Sequence, residues 1–165
     1  MAGGVSMTPE GYPLRVLDLG CGPNRHPEAI GIDAWPFPGV DIVRDLRRGL
    51  PFDDNTVKAI LAKHILEHFD GEDLTFIIEE MCRVCVAGAG ITVILPDKTS
   101  PNAGKDFTHK KKDWDAWSFQ MWEVNPAGKY LIERGPLYHI KGVLRLRETS
   151  VNANLDRTYL LEVVK

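Results

Sequence analysis

The sequence is poor in cysteine and has no long apolar run. Its 165 residues include three cysteines, Cys21, Cys82 and Cys85, which are too few for a disulfide framework. No stretch approaches the roughly 18 consecutive apolar residues that a membrane-spanning helix needs. Residues 1–7 lack the basic and apolar regions of a secretory signal. These absences predict a cytoplasmic, reduced protein that does not enter a membrane.

An excess of positive charge is also missing. The chain has 20 Lys and Arg against 23 Asp and Glu, a net charge of −3, so no global field attracts nucleic acid or an anionic membrane. This balance argues against nucleic acid as a partner. Hydrophobic residues make up 44% and charged residues 26%, as in globular domains. We expect a flexible tail over residues 1–12 and a single domain over residues 13–165.

Short apolar runs predict the strands of a mostly parallel sheet. The predicted strands are residues 14–19, 29–33, 40–46, 56–62 and 90–95. Three later strand-like segments, 130–132, 140–146 and 159–164, leave no room for crossover helices, so some should pair antiparallel. The pattern predicts an α/β fold whose sheet has an antiparallel C-terminal edge.

Helices are predicted at only two places. Apolar residues recur at helical spacing from about Glu72 to Val84, with Asp70 as a candidate cap and Gly88 just past the end. A weaker helix is predicted over residues 114–124. Only seven residues, two of them prolines, separate Gly22 from Ile30, and the next link is similarly short. Because a crossover needs about a dozen residues or more, these helices should be missing or a single turn.

The segment from Val16 to Pro23 reads VLDLGCGP and carries the main functional signal. It is a strand that ends in a tight turn with two glycines. Gly20 and Gly22 permit positive φ and let a ligand press against bare backbone. Exposed amides there can bind a carboxylate, and Asp18 can accept from a ligand ammonium group or orient the turn. Ligands of open α/β sheets collect at this edge.

The next two predicted strands also end in carboxylates. Asp33 ends the second strand and could accept both hydroxyls of a ribose. Asp45 ends the third strand and could accept from an adenine amino group, with Trp35 and Leu46 on either side of the ring. The set predicts an adenosine site with its amino-acid end near Asp18.

The segments LDLGCG, GID and RDLRRGLPFDDNTVKAILAKHILEHF together resemble the class I S-adenosylmethionine-dependent methyltransferases, in particular the small Methyltransferase-11-like group. The likeness covers roughly residues 14–96. It implies a Rossmann-like methyltransferase sheet, S-adenosyl-L-methionine as cofactor, S-adenosyl-L-homocysteine as product, and methyl transfer to a small-molecule or other acceptor that the sequence does not identify. The cofactor-binding residues that it implies are Asp18, Leu19, Gly20, Cys21, Gly22, Asp33, Ala34, Trp35, Asp45, Leu46, Lys63 and His64.

Within that resemblance the residues have separate roles. The turn from Asp18 to Gly22 would hold the methionine part, and Asp33 the ribose hydroxyls. Asp45 would bind the adenine amino group and the Leu46 amide a ring nitrogen. Residues 63–65 would line the sulfonium side.

Two histidines are candidate catalytic residues. His64 lies at the functional end of the fourth predicted strand, and His109 lies in a polar segment, residues 100–112, that we expect to be a mobile loop. A neutral imidazole can take a proton from an acceptor. We predict that His64 or His109 lines the acceptor pocket, with Asp97 as a weaker rival.

Three other interpretations compete with a methyltransferase. His64, Glu67 and His68 match the H-x-x-E-H pattern of inverted zinc peptidases, but local hydrogen bonds of Glu67 and His68 are the preferred explanation, and no metal is predicted. A dehydrogenase is disfavoured because the turn does not open a long helix. A non-catalytic module that binds S-adenosylmethionine, a partner protein or both remains the main alternative.

The pair Cys82 and Cys85 forms a lone C-x-x-C. A zinc ribbon needs a second pair, which the sequence lacks. We therefore expect both thiols to be buried in or near the core.

Overall fold

Five parallel strands and two antiparallel strands form one sheet. The computed structural model describes residue 11 and residues 13–119, 122–123 and 144–165. The strands are β1 Arg15–Leu19, β2 Ile30–Asp33, β3 Ile42–Val43, β4 Val57–Lys63, β5 Cys85–Pro96, β6 Leu144–Val151 and β7 Asp156–Val163. Their order across the sheet is β3-β2-β1-β4-β5-β7-β6. The predicted α/β fold, with a parallel sheet and an antiparallel C-terminal edge, is confirmed.

Several strand boundaries differ from the prediction. Strand β3 is only two residues long, because Asp45 caps a 3-10 turn over Leu46–Arg48 and so ends the extended chain. Strand β5 begins at Cys85, directly after the helix that precedes it, and contains Gly88 with a φ of 78°. The predicted tail at 1–12, apart from Gly11, and the predicted strand at 130–132 lie outside the described residues.

The links that follow β1 and β2 contain no helix in the described residues, as the short spacings predicted. A single arginine braces both links instead. The Arg25 guanidinium donates to the carbonyl of Ala29 at 2.6 Å, and its Nε donates to the carbonyl of Gly39 at 3.0 Å. The Arg25 Nε also lies 3.4 Å from a carboxylate oxygen of Asp41. This side chain therefore ties the β1–β2 link to the β2–β3 link.

Helix α1, Gly71–Val84, is the predicted crossover between β4 and β5. Its apolar side is buried, as the spacing indicated. Asp70 occupies the cap position, but its side chain makes no capping hydrogen bond, so that part of the prediction is wrong. No helix among the described residues combines the length and apolar character needed to cross a membrane.

The helix predicted over residues 114–124 is wrong for the part that the structure describes. Residues 116–119 form turns. The Asp115 amide donates to Ser118 Oγ at 2.8 Å, and the Trp117 amide donates to Asp115 Oδ1 at 2.9 Å. Because these side chains capture backbone amides near them, they compete with helical hydrogen bonds.

A short helix instead forms where only a loop was predicted. Helix α2, Pro101–Lys105, follows Ser100, whose side chain accepts from the Asn102 amide. A serine cap followed by proline at the first position is a known helix start, so the sequence did contain the signal.

The core is built in rows that cross the sheet. One row joins Leu17, Ile60, Ile91 and Leu161 through the strand register, and all four are buried. The same cluster includes the apolar side of α1 and aromatic residues after α2. On the alternate positions burial is less complete, as with Leu160, which is 37% exposed. In the described residues, the links after β1 and β2 contain no helix that could cover these positions.

Candidate functional site

The glycine turn at the end of β1 is fixed to the neighbouring strand. Gly20 and Gly22 both have positive φ, 64° and 52°, which glycine adopts without penalty. The Gly20 amide donates to the carbonyl of Ile32 at 2.8 Å, and the Gly22 amide donates to Asp33 Oδ2 at 2.9 Å. The turn thus brings Asp33 beside the glycines at the edge where β1 lies between β2 and β4.

The two glycines differ in what surrounds them. A Cβ on Gly20 would lie 2.6 Å from Cγ1 of Ile65, whereas a Cβ on Gly22 would have no atom within 4 Å. The expectation that both glycines make room for a ligand therefore needs correction. Gly20 makes room for Ile65, and the open space lies in front of Gly22.

The other residues of the turn have structural contacts. Asp18 is buried, and its Oδ2 accepts from the His26 amide at 2.7 Å, so Asp18 orients the loop after the turn. Leu19 is fully buried in the core, which leaves only its backbone for a ligand. Burial, followed by the nearby charges of Asp18 and Asp33, raises the pKa of Cys21 to about 11, so its thiol stays protonated near neutral pH.

Asp33 is half-buried at the end of β2, and its carboxylate can accept further hydrogen bonds. Its Oδ1 accepts from the Trp35 amide at 2.9 Å, and its Oδ2 accepts from Gly22. A carboxylate offers about four acceptor positions, so positions for ribose hydroxyls are left. Ala34 and Trp35 follow on the surface, and Trp35 is 69% exposed.

Asp45 and Leu46 lie beyond β3. Asp45 accepts from the Arg47 amide at 3.0 Å and pairs with the Arg47 guanidinium at 2.6 Å. The Arg47 hydrogen bond lowers the pKa of Asp45. The Leu46 side chain is buried in the core, so the predicted enclosure of a ring between Leu46 and Trp35 is not formed in this conformation.

A cleft of about 860 Å³ opens at the carboxyl ends of β4 and β5. The exposed Lys63 ends β4, and His64 follows it with a φ of 53° and an amide bonded to the carbonyl of Ile94 at 2.8 Å. The cleft brings both candidate histidines together. Its lining residues are His64, Glu67, His68, Pro96, Asn102, Lys105, Asp106, Phe107, His109, Asn154 and Asp156.

His64 lies between two carboxylates. Its Nδ1 is 3.4 Å from Glu67 Oε1, and its Nε2 is 3.7 Å from Asp156 Oδ2. The interaction with Glu67 raises the pKa of His64, and it outweighs burial, which acts in the opposite direction. Asp156 is the first residue of β7, so this carboxylate reaches His64 from a distant part of the chain, and no local sequence pattern indicated it.

His109 lies deeper, on the segment after α2. Its side chain is 8% exposed, and its Nε2 is 3.6 Å from Asp106 Oδ2 and 4.0 Å from Glu67 Oε1. Its Nδ1 is buried without a hydrogen-bond partner. The ring of His68 meets it edge-on, with 5.0 Å between the centroids.

The H-x-x-E-H segment does not form the helix of a zinc peptidase. His64 is in the left-handed region, and Leu66–His68 is a 3-10 turn. The preferred explanation, local hydrogen bonds of Glu67 and His68, holds for the backbone, where the His68 amide donates to the carbonyl of Ile65 at 3.2 Å. It does not hold for the side chains. Both carboxylate oxygens of Glu67 are buried without a hydrogen bond, and His68 Nδ1 approaches Thr108 Oγ1 at 3.1 Å, 40 residues away.

Other candidate residues have structural contacts. Asp97 accepts from the Arg157 Nε at 2.6 Å and from the Thr99 amide at 2.9 Å, so it is not free to act as a base. Cys82 and Cys85 are buried as predicted, and burial raises the pKa of each to about 12.

Solved structures of methyltransferases are similar to this chain over most of its length. The described fold is similar to a SAM-dependent methyltransferase from Aquifex aeolicus, with 15% identity, a TM-score of 0.59, and coverage of 92% of this chain and 82% of that one. It is also similar to a candidate type 11 methyltransferase from Sulfolobus solfataricus, with 17% identity, a TM-score of 0.58, and coverage of 94% and 87%. The chain has the class I methyltransferase fold.

A third structure with this fold contains bound ligands. It is the Haemonchus contortus phosphoethanolamine N-methyltransferase 1 in complex with phosphoethanolamine and S-adenosylhomocysteine, with 12% identity, a TM-score of 0.61, and coverage of 92% of this chain and 39% of that one. No protein-family model and no curated protein sequence matches the chain. In the class I methyltransferase fold of this chain, the glycine turn and the cleft both lie at the carboxyl edge of the parallel strands.

Proposed function

We propose that this chain transfers a methyl group from S-adenosylmethionine to a small-molecule acceptor bound in the cleft. The observation that carries the proposal is the open space in front of Gly22, beside the Asp33 carboxylate. It lies at the edge of the sheet where ligands of open α/β folds bind. The cleft volume of about 860 Å³ lies within the range typical of small-molecule sites.

The residues at this edge fit the cofactor. Bare backbone at Gly22 accommodates a close ligand, and Asp33 retains acceptor positions for hydroxyls. When bound, S-adenosylmethionine supplies a methyl group on a sulfonium centre. The residues proposed to hold it are Asp18, Leu19, Gly20, Cys21, Gly22, Asp33, Ala34, Trp35, Asp45, Leu46, Lys63 and His64.

The cleft residues have a separate role in the proposal. His64 is half-exposed, while His109 is buried, so His64 is the imidazole that an acceptor can reach more directly. Glu67 Oε1 faces the Nδ1 of His64 at 3.4 Å, so Nε2 takes the proton of the acceptor. The Asp156 carboxylate, 3.7 Å from Nε2, stabilises the imidazolium that forms. His109 lines the deeper part of the same cleft.

Asp33→Ala should weaken the binding of S-adenosylmethionine and its product by about 1–3 kcal/mol, the scale of lost hydrogen bonds to a charged group. Asp41→Ala is the control, because Asp41 also accepts from a backbone amide, that of Gly31 at 2.8 Å, but is not among the residues proposed to hold the cofactor. Isothermal titration measures both variants. Equal losses in the two would place the ribose elsewhere, and no heat from the folded wild type at millimolar ligand would contradict cofactor binding altogether.

His64→Gln should lower the methylation rate at saturating cofactor by about 10²–10⁴-fold, the usual contribution of a general base. The measurement is the rate of S-adenosylhomocysteine release, with an acceptor found by screening small molecules against the wild type. Glu28→Gln, an exposed position on the β1–β2 link, is the control. An unchanged rate in His64→Gln would mean that the acceptor arrives already nucleophilic.

A non-catalytic module is the second candidate function. The exposed aromatic side chains of Trp35 and Phe37, 69% and 42% exposed, lie on the link where a helix is missing and favour contact with a partner protein. Turnover by the wild type in the acceptor screen would exclude this candidate. Cofactor binding without turnover on any acceptor would favour it.

A further inference from the structure

Three metal-ligating side chains meet at the wall of the cleft. One ligand atom from each of Glu67, His68 and His109 lies within 4.8 Å of the other two. The first two residues belong to the 3-10 turn after β4, and His109 belongs to the segment after α2. The amides of Lys110 and Lys111 donate to the carbonyl of Glu67 at 2.9 and 3.2 Å. These bonds fasten the two segments together and hold the three side chains in place.

The Glu67 carboxylate is an unusual feature of this cluster. The residue is 1% exposed, and neither carboxylate oxygen accepts a hydrogen bond. The Lys110 and Lys111 amides, which follow His109 in the chain, donate to the backbone carbonyl of Glu67 and not to its carboxylate. A buried carboxylate that accepts no hydrogen bond is costly, and the imidazoles of His64 and His109 approach Glu67 Oε1 only to 3.4 and 4.0 Å. A cation bound at this carboxylate would offset that cost. The Nδ1 of His109 is a second buried polar atom in this cluster that makes no hydrogen bond.

We propose that Glu67, His68 and His109 bind one divalent transition-metal ion of the zinc type. Two imidazoles and one carboxylate form a ligand set that zinc uses when one coordination position is left open. Imidazole nitrogen suits zinc, iron, nickel and copper, whereas magnesium and calcium prefer oxygen ligands. The ion would neutralise the buried carboxylate and give the imidazoles a common partner.

The three ligand atoms must move closer together to share one ion. Two ligand atoms on a tetrahedral ion, each about 2.1 Å from it, are about 3.4 Å apart. The 4.0 Å between His109 Nε2 and Glu67 Oε1 and the 4.8 Å span of the full set therefore both need to contract, which side-chain rotations of the two imidazoles can supply. Because all three residues line the cleft, a free coordination position would open onto bound acceptor and could hold its oxygen or nitrogen.

Metal binding is tested on the whole chain, without cofactor or acceptor. The chain is stripped with a chelator and then titrated with Zn²⁺ by calorimetry and with Co²⁺ by visible absorption. We expect one equivalent of each metal to bind, and Mg²⁺ not to compete. His68→Gln and His109→Gln should each weaken Zn²⁺ binding by at least about 10–100-fold, since even second-shell changes cost that much.

Two controls keep the outcomes separate. His26→Gln removes an exposed histidine outside the cluster and should bind metal as the wild type does. His68 is only half-buried, so His68→Gln should fold even if His109→Gln does not, and circular dichroism checks both. Cobalt bound through sulfur would show a thiolate charge-transfer band, which reports Cys82 and Cys85 instead.

The proposal is overturned by any of three results: no binding at one equivalent, unchanged affinity in a folded His68→Gln, or a thiolate band on the bound cobalt. The first would leave the Glu67 carboxylate facing only the imidazoles of His64 and His109. None of these results bears on cofactor binding, which the Asp33→Ala titration tests separately.

Discussion

Gly20→Val should lower the free energy of unfolding by about 2–5 kcal/mol, the sum of two costs. The left-handed backbone at Gly20, with a φ of 64°, costs an L-residue about 1–2 kcal/mol, and more for a β-branched one. Overlap with Ile65, 2.6 Å from the added Cβ, costs a further 1–3 kcal/mol or so, as overpacking usually does. Urea unfolding followed by circular dichroism measures the loss.

Gly22→Val is the matched control, because it has similar backbone strain but an empty Cβ position. It should lose at least about 1–2 kcal/mol of stability, yet it should abolish cofactor binding because its side chain fills the open space. The double variant Gly20→Ala with Ile65→Ala should be more stable than the sum of the two single changes predicts. Simple additivity in that cycle would show that Ile65 is not what requires glycine at position 20.

Arg157→Met should lower the free energy of unfolding by about 3–5 kcal/mol, as expected when one partner of a buried ion pair is removed. Asp97 is 2% exposed, and its Oδ2 lies 2.6 Å from the Arg157 Nε. Burial alone would raise the pKa of Asp97, but hydrogen bonds from Thr99 and Arg157 outweigh it and lower that pKa. Without Arg157, the buried charge of Asp97 loses its main partner.

Arg147→Met is the control for this change. Arg147 pairs with Glu162 on the surface and its side chain is 54% exposed, so its loss should cost at most about 1 kcal/mol. The pair also has a pH signature. Because the folded-state pKa of Asp97 is lowered, its stabilising contribution is present above the unfolded value of about 3.9 and is lost as pH falls through the folded value. Equal costs for Arg157→Met and Arg147→Met would contradict the buried pair.

Much of the edge that is proposed to bind the cofactor could be predicted from the sequence, because its signals are local. The Gly20–Gly22 turn, the carboxylate of Asp33 and the short links between the first three strands each depend on a few consecutive residues. The alternation of apolar and polar residues and the positions of glycine and proline determine such features, and they do not depend on distant parts of the chain. The same reasoning failed at residues 114–119, because apolar spacing suggested a helix while Asp115 and Ser118 captured the local amides.

The sequence by itself determined the strand pattern, the missing crossover helices and the chemistry available at the ends of β1 and β2. Only the tertiary structure decided which side chains share the cleft and which are structural. Glu67 meets His109 across 42 positions of sequence, and Asp97 meets Arg157 across 60. No local pattern encodes such meetings, because they depend on how the sheet order brings separate loops to one edge. For the same reason only the structure shows that the Ile65 side chain occupies the space beside Gly20.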